Sequence, residues 1–441
     1  MIKRFTLPEM GSLWTDLHKK TMWFKAELAG LWAKAKHGDF SMEIYNLARK
    51  VKITEGVLAR ADEIEKKGDH DLIAFVLAVT ELLNDLVKPF FHTGFTSFDI
   101  EDTALALILR DCLSIILTKL RRLRSVLLAR AIEHRYTLQI GRTHFIHAEP
   151  ITFGFKLLGW VDVLDRHIIR LESLRKEIAI GKFSGAVGMY TLDPEIERLA
   201  CKHLRLRPAM ISTQIISRDI LGHYAATLAG IANSLDRFAT EIRHLAGTDI
   251  SEVAEFKRPG AKGSSAMPGK SMLRNPIKSE NTCGLARVSR GYLIPAFECE
   301  VTWGERTLEN SAAERVYLPD LSITLDFMLN RFAEVMEKLE VFPAQMERNI
   351  WRTGGIVFSQ RVMIKLTEKG MHRDQAYDLL EALALSVERG TFTTANGESF
   401  KDLAYANNSI AGLLSCEELD ECFDPKSALK HIDEIFSRFA V

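Results

Sequence analysis

The sequence predicts an all-α fold built around a bundle of long helices. The chain has 441 residues but only 12 prolines, so long stretches contain no residue that breaks a helix. Three of these stretches carry apolar residues at spacings of three and four, which is the period of an amphipathic helix. No stretch sustains the strict alternation of apolar and polar residues that is typical of a strand.

Each of the three stretches presents one apolar stripe with charged residues on its other faces. The first stripe comprises Leu105, Leu109, Cys112, Ile116, Leu120, Leu123 and Leu127. The second comprises Leu157, Val161, Leu164, Ile168, Leu171, Leu174 and Ile178. The third comprises Leu228, Ile231, Leu235, Phe238, Ile242 and Leu245. This spacing predicts bundle helices of about 30 residues or more.

Helices of that length would reach about 45 Å, which exceeds the size of a small domain. We expect that one chain cannot cover such stripes alone and that symmetric copies share the bundle, which predicts a homo-oligomer. The alternative is a monomeric helical array, although the sequence contains no internal repeat of the kind found in solenoids.

The long-helix block divides the chain into three predicted helical domains. Residues 1–92 and 344–441 form shorter amphipathic pieces, and residues 93–343 hold the three long stretches. The central segment also contains FKRPGAKGSSAMPGKSMLRNPIKSEN, a long loop rich in Gly, Ser, Pro and Lys. Long loops in compact domains are commonly functional.

Composition excludes several classes of protein. Lys plus Arg and Asp plus Glu both number 58, which gives no global charge to attract nucleic acid or an anionic membrane. The six cysteines form no CxxC pair, so we expect neither a disulfide framework nor a thiolate zinc site, and a reducing cytoplasm is favoured. The start of the chain lacks the apolar region of a signal peptide, and Arg110 and Asp111 interrupt the longest apolar run.

Four polar islands lie beside predicted helix ends: GDHD at 68–71, HTGFTSFD at 92–99, GRTHFIHAEP at 141–150 and the loop of the 260s. His144, His147 and Glu149 have a spacing that metal ligands can adopt, but Pro150 follows at once and no further ligand stands out, so we expect no metal. The neighbouring Ser264 and Ser265 are consistent either with a merely soluble loop or with a mobile lid.

The sequence GSSAMPGKSMLRNPIKSE at 263–280 resembles the signature of the fumarase/aspartase superfamily, Ser-Ser-x-Met-Pro-x-Lys-x-Asn. Further segments resemble the adenylosuccinate lyase branch, so the similarity covers nearly the whole chain: GRTHFIHAEPITFGFKLLGW, VGMYTLDPEIE, ISTQIISRDILGHY, ERTLENSAAER and FSQRVMIKLTEKG. The resemblance implies three helical domains, a central bundle shared in a homotetramer, and active sites that each combine residues of three subunits.

The resemblance also implies a β-elimination in which a proton leaves the carbon next to a carboxylate, the C–N bond breaks and fumarate departs. Such a site needs donors and a cation for the doubly charged intermediate, together with a base and an acid. By resemblance Ser264 is the base with Ser265 beside it, and Lys270 is the cation. His144 is the general acid paired with Glu280, and His70 is the second histidine on the substrate side.

Other positions match residues that bind the substrate in the family, and no cofactor is implied. For the succinyl carboxylates and neighbouring groups these are Thr96, Ser97, Thr143, Gln214 and Asn275. For a nucleotide phosphate they are Arg4, Arg306, Ser311 and Arg315, since an arginine fork with a hydroxyl suits a phosphate. Phe5 and Asp71 complete the expected substrate-binding set.

Departures from the family pattern leave three functions open. Ser271, Met272 and Leu273 are additional residues after Lys270, and Phe98 and Phe145 stand where smaller or more polar residues are usual. The first hypothesis is a lyase that acts on adenylosuccinate and its imidazole carboxamide analogue in purine synthesis. The second is a diverged lyase of the same branch that acts on another N-succinyl compound in secondary metabolism, with a different or smaller amine. The third is a catalytically impaired scaffold or regulatory homologue.

Overall fold

The computed structural model describes residues 2–68, 70–257, 260, 266–267, 274–389 and 392–439. These residues are predominantly helical, which confirms the all-α prediction. The helices of the first half are α1 (Pro8–Leu13), α2 (Asp16–His37), α3 (Met42–Ala48), α4 (Glu55–Glu65), α5 (Asp71–Leu82), α6 (Ser97–Glu133), α7 (Phe153–Glu177) and α8 (Pro194–Leu204). The later helices are α9 (Asp219–Leu245), α10 (Ile277–Gly291), α11 (Leu293–Glu298), α12 (Glu309–Glu337), α13 (Pro343–Trp351), α14 (Ser359–Glu368), α15 (Arg373–Arg389), α16 (Phe400–Ala406), α17 (Asn408–Ala411), α18 (Cys416–Cys422) and α19 (Ile432–Ser437).

Within the described ranges the strands form three two-stranded sheets. Their bounds are β1 (Leu138–Thr143), β2 (Ile146–Thr152), β3 (Ile180–Gly181), β4 (Arg207–Pro208), β5 (Val253–Ala254) and β6 (Glu340–Val341). Only β1 and β2 exceed two residues, and they form an antiparallel hairpin. The GRTHFIHAEP island lies beside a helix end as predicted, since α7 begins at Phe153, but the strands that it forms were not predicted.

The long helices lie where the apolar stripes predicted them. The stripes fall on α6, α7 and α9, with the second ending at Ile178, just past α7, and the residues of the third stripe are at most 1% exposed. The expectation that one chain cannot cover these stripes is wrong for most of their length, because the single chain buries every stripe residue except Leu105 and Ile168, which are partly buried.

The chain divides into two compact units whose boundaries fall inside long helices. The first unit consists of residues 1–122, 165–237 and 281–331. Its apolar core includes the edge-to-face pair of Trp23 and Phe75, whose ring centroids are 5.7 Å apart. Two long loops that carry predicted site residues, those around 92–97 and 302–308, belong to this unit.

The second unit consists of residues 123–164, 238–280 and 332–441. One of its apolar clusters joins Ile140 of β1 to residues of the C-terminal helices, among them Phe358 and Phe423, whose rings meet at 5.6 Å. The β1–β2 hairpin is therefore anchored at its base by the C-terminal part of the chain.

No helix in the described part of the chain is long and apolar enough to cross a membrane. All six cysteines are free thiols, and five of them are buried. Across the same described residues, no group of three or more His, Cys, Asp or Glu side chains is placed to hold a metal ion.

Candidate active site

A cavity of about 390 Å³ in the first unit gathers five of the residues that sequence analysis assigned to the substrate. It lies between the start of α5, the loop before α12 and the first turns of α12. Its walls are formed by Glu65, His70, Asp71, Glu101, Arg306, Leu308, Ser311, Ala312 and Arg315. The cavity is thus lined by a histidine, two arginines, a serine hydroxyl and three carboxylates.

His70 is held at the N-terminus of α5 by its own ring. Its Nδ1 accepts a hydrogen bond from the Ile73 N–H at 3.4 Å, and its Nε2 lies 3.4 Å from Ser97 Oγ at the start of α6. Since Nδ1 accepts, the neutral ring carries its proton on Nε2 and can donate it to the Ser97 hydroxyl. The fold therefore brings His70 and Ser97 together, as two residues that meet one substrate group would require.

The two arginines of this cavity are held in different ways. Arg315 Nη2 lies 2.7 Å from an Asp71 carboxylate oxygen and 3.7 Å from Glu101. Arg306 stacks over the ring of Phe98 at 4.2 Å, and its buried Nε has no hydrogen-bond partner among the described residues. Burial lowers the pKa of the Arg306 guanidinium, so an anion that pairs with it would restore the solvation it has lost.

Phe98 packs against Arg306 and is only 3% exposed. It does not line the 390 Å³ cavity. The interpretation that Phe98 and Phe145 fit the pocket to a different or smaller amine stays a prediction, and in the structure the Phe98 ring lies against the Arg306 guanidinium.

Two charged residues of this region were not predicted from the sequence. Lys19 on α2 lies 3.9 Å from Asp71, and Glu101 on α6 lines the cavity one helical turn after Ser97. Burial, with a further contribution from Asp71, raises the pKa of Glu101 to about 7. The spacing of four between Ser97 and Glu101 was a usable signal, because such residues share one face of a helix, whereas Lys19 belongs to no motif.

Beneath the cavity, a buried arginine joins two carboxylates. Arg218 Nη1 and Nη2 donate to Asp102 at 2.8 and 2.9 Å, and Arg218 Nε donates to Glu314 at 2.9 Å. All three side chains are nearly fully buried. Because Asp102 lies on α6 and Glu314 on α12, this network fixes the two helices that carry Ser97, Ser311 and Arg315.

In the second unit, His144 occupies the tip of the β1–β2 hairpin. His144 and Phe145 are the two central residues of the turn, and both have positive φ, 51° and 63°. A type I′ turn requires this conformation, which costs free energy for residues other than glycine. The turn exposes Thr143, His144 and Phe145, and the Phe145 ring packs edge-on against His244 at 4.8 Å. Phe145 is 57% exposed and so projects from the tip.

A buried carboxylate, also missed by sequence analysis, anchors this hairpin. Glu252 accepts hydrogen bonds from Gln139 Nε2 at 2.6 Å, Arg142 Nη2 at 2.7 Å and Asn349 Nδ2 at 2.7 Å. Glu252 is fully buried, so these donors replace the water it has lost. The network fixes the strand that leads directly to His144.

A β-bulge at Gly141 sets the direction of the hairpin tip. Ile140 pairs with Pro150 but Arg142 pairs with His147, so two residues of β2 oppose Gly141 alone. A Cβ at position 141 would lie 2.8 Å from the Glu149 carbonyl oxygen, closer than real Cβ contacts. The bulge therefore requires glycine at this position.

Gly141→Ala is expected to destabilise the protein by about 1–3 kcal/mol, since backbone rather than a flexible side chain must move. Turnover should fall as well, because β2 shifts near His144. Thermal unfolding and initial rates measure the two effects. Gly56→Ala is the matched control, since its Cβ would meet only Thr54 Oγ1 at an ordinary 3.6 Å; a similar loss in both variants would contradict the role of the bulge.

Several predicted residues lie apart from the 390 Å³ cavity in the first unit. Arg4 is exposed in a short 3-10 turn, and Phe5 packs against Phe327 with ring centroids 5.2 Å apart. Thr96 N–H donates to Asp99 Oδ2 at 2.9 Å and thereby closes the first turn of α6. Gln214 donates to the Ala186 carbonyl at 3.2 Å. None of these four lines the cavity.

Asn275 and Glu280 belong to the second unit. Glu280 is exposed in the first turn of α10, and within the described ranges no hydrogen bond joins it to His144. Asn275 lies just before that helix. Ser264, Ser265 and Lys270, as well as the three additional residues after Lys270, lie outside the described residues. The pairing of Glu280 with His144 stays a prediction.

Comparison with known proteins identifies the family. A family described as "Lyase" matches residues 16–291, and a family described as "Adenylosuccinate lyase C-terminus" matches residues 355–439. The chain is 44% identical to an adenylosuccinate lyase of Synechocystis sp. over 443 aligned positions, covering all of both chains. The chain belongs to the adenylosuccinate lyase family. An adenylosuccinate lyase of Staphylococcus saprophyticus is 43% identical, and the alignment covers 99% of each of the two chains.

Solved structures of other enzymes share the fold of this member of the adenylosuccinate lyase family. A fumarate lyase from Mesorhizobium sp. BNC1 superposes with a TM-score of 0.87, covering 99% of each chain at 24% identity, and so shows the fold alone. A 3-carboxy-cis,cis-muconate lactonizing enzyme from Pseudomonas putida superposes with a TM-score of 0.86 at 28% identity, covering 98% of this chain and 96% of the other. Both superpositions confirm the predicted all-α fold.

Proposed function

We propose that this protein is a lyase that cleaves the C–N bond of adenylosuccinate, and of the related succinyl-aminoimidazole carboxamide ribotide, in purine nucleotide synthesis. The products from adenylosuccinate are fumarate and AMP. Similarity at 44% identity to a protein named adenylosuccinate lyase, over the full length of both chains, carries the proposal. The match of residues 355–439 to the adenylosuccinate lyase C-terminus favours this substrate over those of other superfamily members.

The cavity of the first unit suits the phosphorylated end of such a substrate. Arg306 and Arg315 present guanidinium groups beside the Ser311 hydroxyl, which is the donor set that a phosphate monoester needs. His70 and Ser97 offer donors to a carboxylate or to the departing amine nearby. The buried Nε of Arg306, which has no hydrogen-bond partner in the described part of the chain, supports an anionic occupant.

The chemical step is assigned to the hairpin tip and the signature loop. In our proposal the Ser264 alkoxide removes the proton from the carbon next to a carboxylate, while Lys270 and loop N–H groups stabilise the resulting dianion. His144 then gives a proton to the departing nitrogen as the C–N bond breaks. Serine is a poor base in water, so loop closure and proton removal must be coupled.

We also propose a homotetramer whose active sites combine residues of three subunits. Large apolar side chains remain exposed around α11, where Ile294, Phe297, Val301 and Trp303 are uncovered. Four exposed large apolar side chains within one segment of ten residues support contact with another copy of the chain. The division of the chain into three domains at residues 92 and 343 stays a prediction.

The six free cysteines favour a reducing cytoplasm.

The direct test mixes the purified protein with adenylosuccinate and follows fumarate and AMP. We expect the two products in equal amounts, and Ser264→Ala should lower turnover by about two to four orders of magnitude without changing assembly. Fumarate from other succinyl amines but none from adenylosuccinate would favour the diverged lyase. No fumarate from any candidate, with intact assembly, would leave only the scaffold hypothesis.

Arg315→Ala is expected to raise KM for adenylosuccinate by about ten- to hundredfold, which corresponds to one lost charge-assisted hydrogen bond. The loss of Arg315 also leaves Asp71 facing the phosphate, which adds repulsion. Steady-state kinetics should show a smaller change in kcat. An equal loss on an unphosphorylated succinyl amine would contradict a role in phosphate binding.

A further inference from the structure

Glu101 lies at the junction of two cavities and faces the arginine assigned to the phosphate. It lines the 390 Å³ cavity and a second one of about 250 Å³ bounded by Trp14, Trp23 and Phe98. Its side chain is only 13% exposed, and one carboxylate oxygen lies 3.7 Å from Arg315 Nη2.

Two carboxylates share the cations of this cluster. Asp71 makes the closer contact with Arg315, at 2.7 Å, and lies 3.9 Å from Lys19. Although burial alone raises the pKa of Asp71, the charges of Arg315, Lys20 and Lys19 lower it, so Asp71 stays ionised. Glu101 faces the same cations, which Asp71 already contacts. Burial, together with the charge of Asp71, raises the pKa of Glu101 to about 7.

We infer that Glu101 is a positioning residue that holds Arg315 before phosphate binds and yields Arg315 to the phosphate by taking up one proton. This inference rests on the proposed function in assigning a phosphorylated ligand to the cavity. A phosphate monoester brings about one and a half to two negative charges. These charges compete for Arg315 and disfavour an ionised Glu101 beside them, so the carboxylate binds a proton as the ligand enters.

The remaining charges around Glu101 do not replace this role. Cations come from α2, the residue before α9, the loop before α12 and α12 itself, and the other carboxylates stand on α2, α4, α5, α6 and α12. The facing titratable and charged groups are Asp16, Lys19, Lys20, Glu65, His70, Asp71, Asp102, Arg218, Arg306, Glu314 and Arg315. Asp102 and Glu314 are already bonded to Arg218, and Asp71 to Arg315. Of the three other carboxylates, Asp16, Glu65 and Glu101, it is Glu101 that lies within 4 Å of Arg315 among the described residues, so Glu101 is the carboxylate placed to change protonation when phosphate takes that arginine.

The direction of the pH effect follows from this coupling. At a pH below the pKa of Glu101 the carboxyl is neutral, and phosphate binds the cations without competition from it. At a pH above this pKa, phosphate binding requires protonation of Glu101, which costs free energy and weakens binding. Glu101→Gln mimics the neutral form at every pH. The KM of the wild type should therefore match that of Glu101→Gln near pH 6 and exceed it by about tenfold near pH 8, since one proton is linked.

Phosphate itself also titrates near pH 6, and its second ionisation strengthens binding to cations as pH rises. That contribution is common to both proteins, so the ratio of their KM values isolates Glu101. Glu63→Gln is the matched control, because Glu63 is also ion-paired with an arginine, at 3.0 Å from Arg60, but is exposed and does not line either cavity.

The experiment combines calorimetry and kinetics on the full-length protein. Titration with AMP near pH 7.5, in buffers of different ionisation heat, counts the protons taken up on binding, about 0.8 at most if the Glu101 pKa starts near 7. We expect the wild type and Glu63→Gln to take up more protons than Glu101→Gln, with kcat similar in all three. Glu101→Asp, which keeps a carboxylate, should restore uptake.

Equal proton uptake and equal KM ratios across pH in the wild type and Glu101→Gln would overturn the inference. A fall in kcat with an unchanged pH dependence of KM would overturn it as well. Comparable melting temperatures of the variants exclude misfolding as the cause. Linked proton uptake on AMP, without turnover of adenylosuccinate, would instead support the inference while removing the proposed lyase function.

Discussion

His144→Ala lowers kcat on adenylosuccinate by about two to four orders of magnitude, the usual contribution of a general acid. The nitrogen that leaves the succinyl carbon needs a proton as the C–N bond breaks, and an imidazole can supply it near neutral pH. His144 stands at the exposed tip of the hairpin, away from the core. Its removal should therefore leave assembly and melting temperature almost unchanged.

The turn geometry provides a sharper variant. His144 has a positive φ of 51°, a conformation that asparagine adopts more readily than alanine. His144→Asn should keep the turn and still lose turnover, because an amide cannot transfer the proton. His372→Ala, on the exposed surface, is the matched histidine control and should keep full activity. Near-normal kcat in His144→Asn would remove His144 from the role of acid.

Arg218→Ala is expected to cost about 3–5 kcal/mol of stability, since it leaves buried carboxylates without their counter-charge. The affected groups are Asp102 and Glu314, and Arg218 itself is 3% exposed. Burial opposes the charged form of Arg218, but Asp102 and Glu314 together raise its pKa, so Arg218 is held in its charged form. Thermal unfolding should show a large fall in melting temperature.

The control for that prediction is an arginine in an exposed ion pair. Arg60 contacts Glu81 at 2.7 Å, but both side chains are about half exposed. Exposed ion pairs contribute little to stability because water and salt screen them. Arg60→Ala should therefore have nearly the same melting temperature as the wild type. If Arg218→Ala also had the melting temperature of the wild type, the buried network would not hold α6 and α12 in place.

The helices were predictable because their signal is local. Helix α9 carries a stripe whose spacing of three and four identifies both the helix and its buried face. The hairpin was missed because its signal is interrupted. Alternation begins at Leu138 and Ile140, but the bulge at Gly141 shifts the register by one residue, so the two strands share no continuous pattern.

The candidate site was predictable only where a motif named it. ERTLENSAAER pointed to Arg306, Ser311 and Arg315, and these residues do line one cavity. Glu252 belongs to no motif, although it anchors the strand that leads to His144. Its partners come from β1 and α13, about a hundred residues away on either side.

By itself the sequence determined the helical class, the buried faces of the long helices and, through its motifs, the family. Only the tertiary structure decided that Lys19, Asp71, Glu101 and Arg315 form one ion cluster, and that Asp102 lies beneath it. The physical reason is range: helical periodicity acts between residues three and four apart, whereas these charges interact through space between segments that the chain separates widely. Their ionisation depends on shared burial, which no local pattern records.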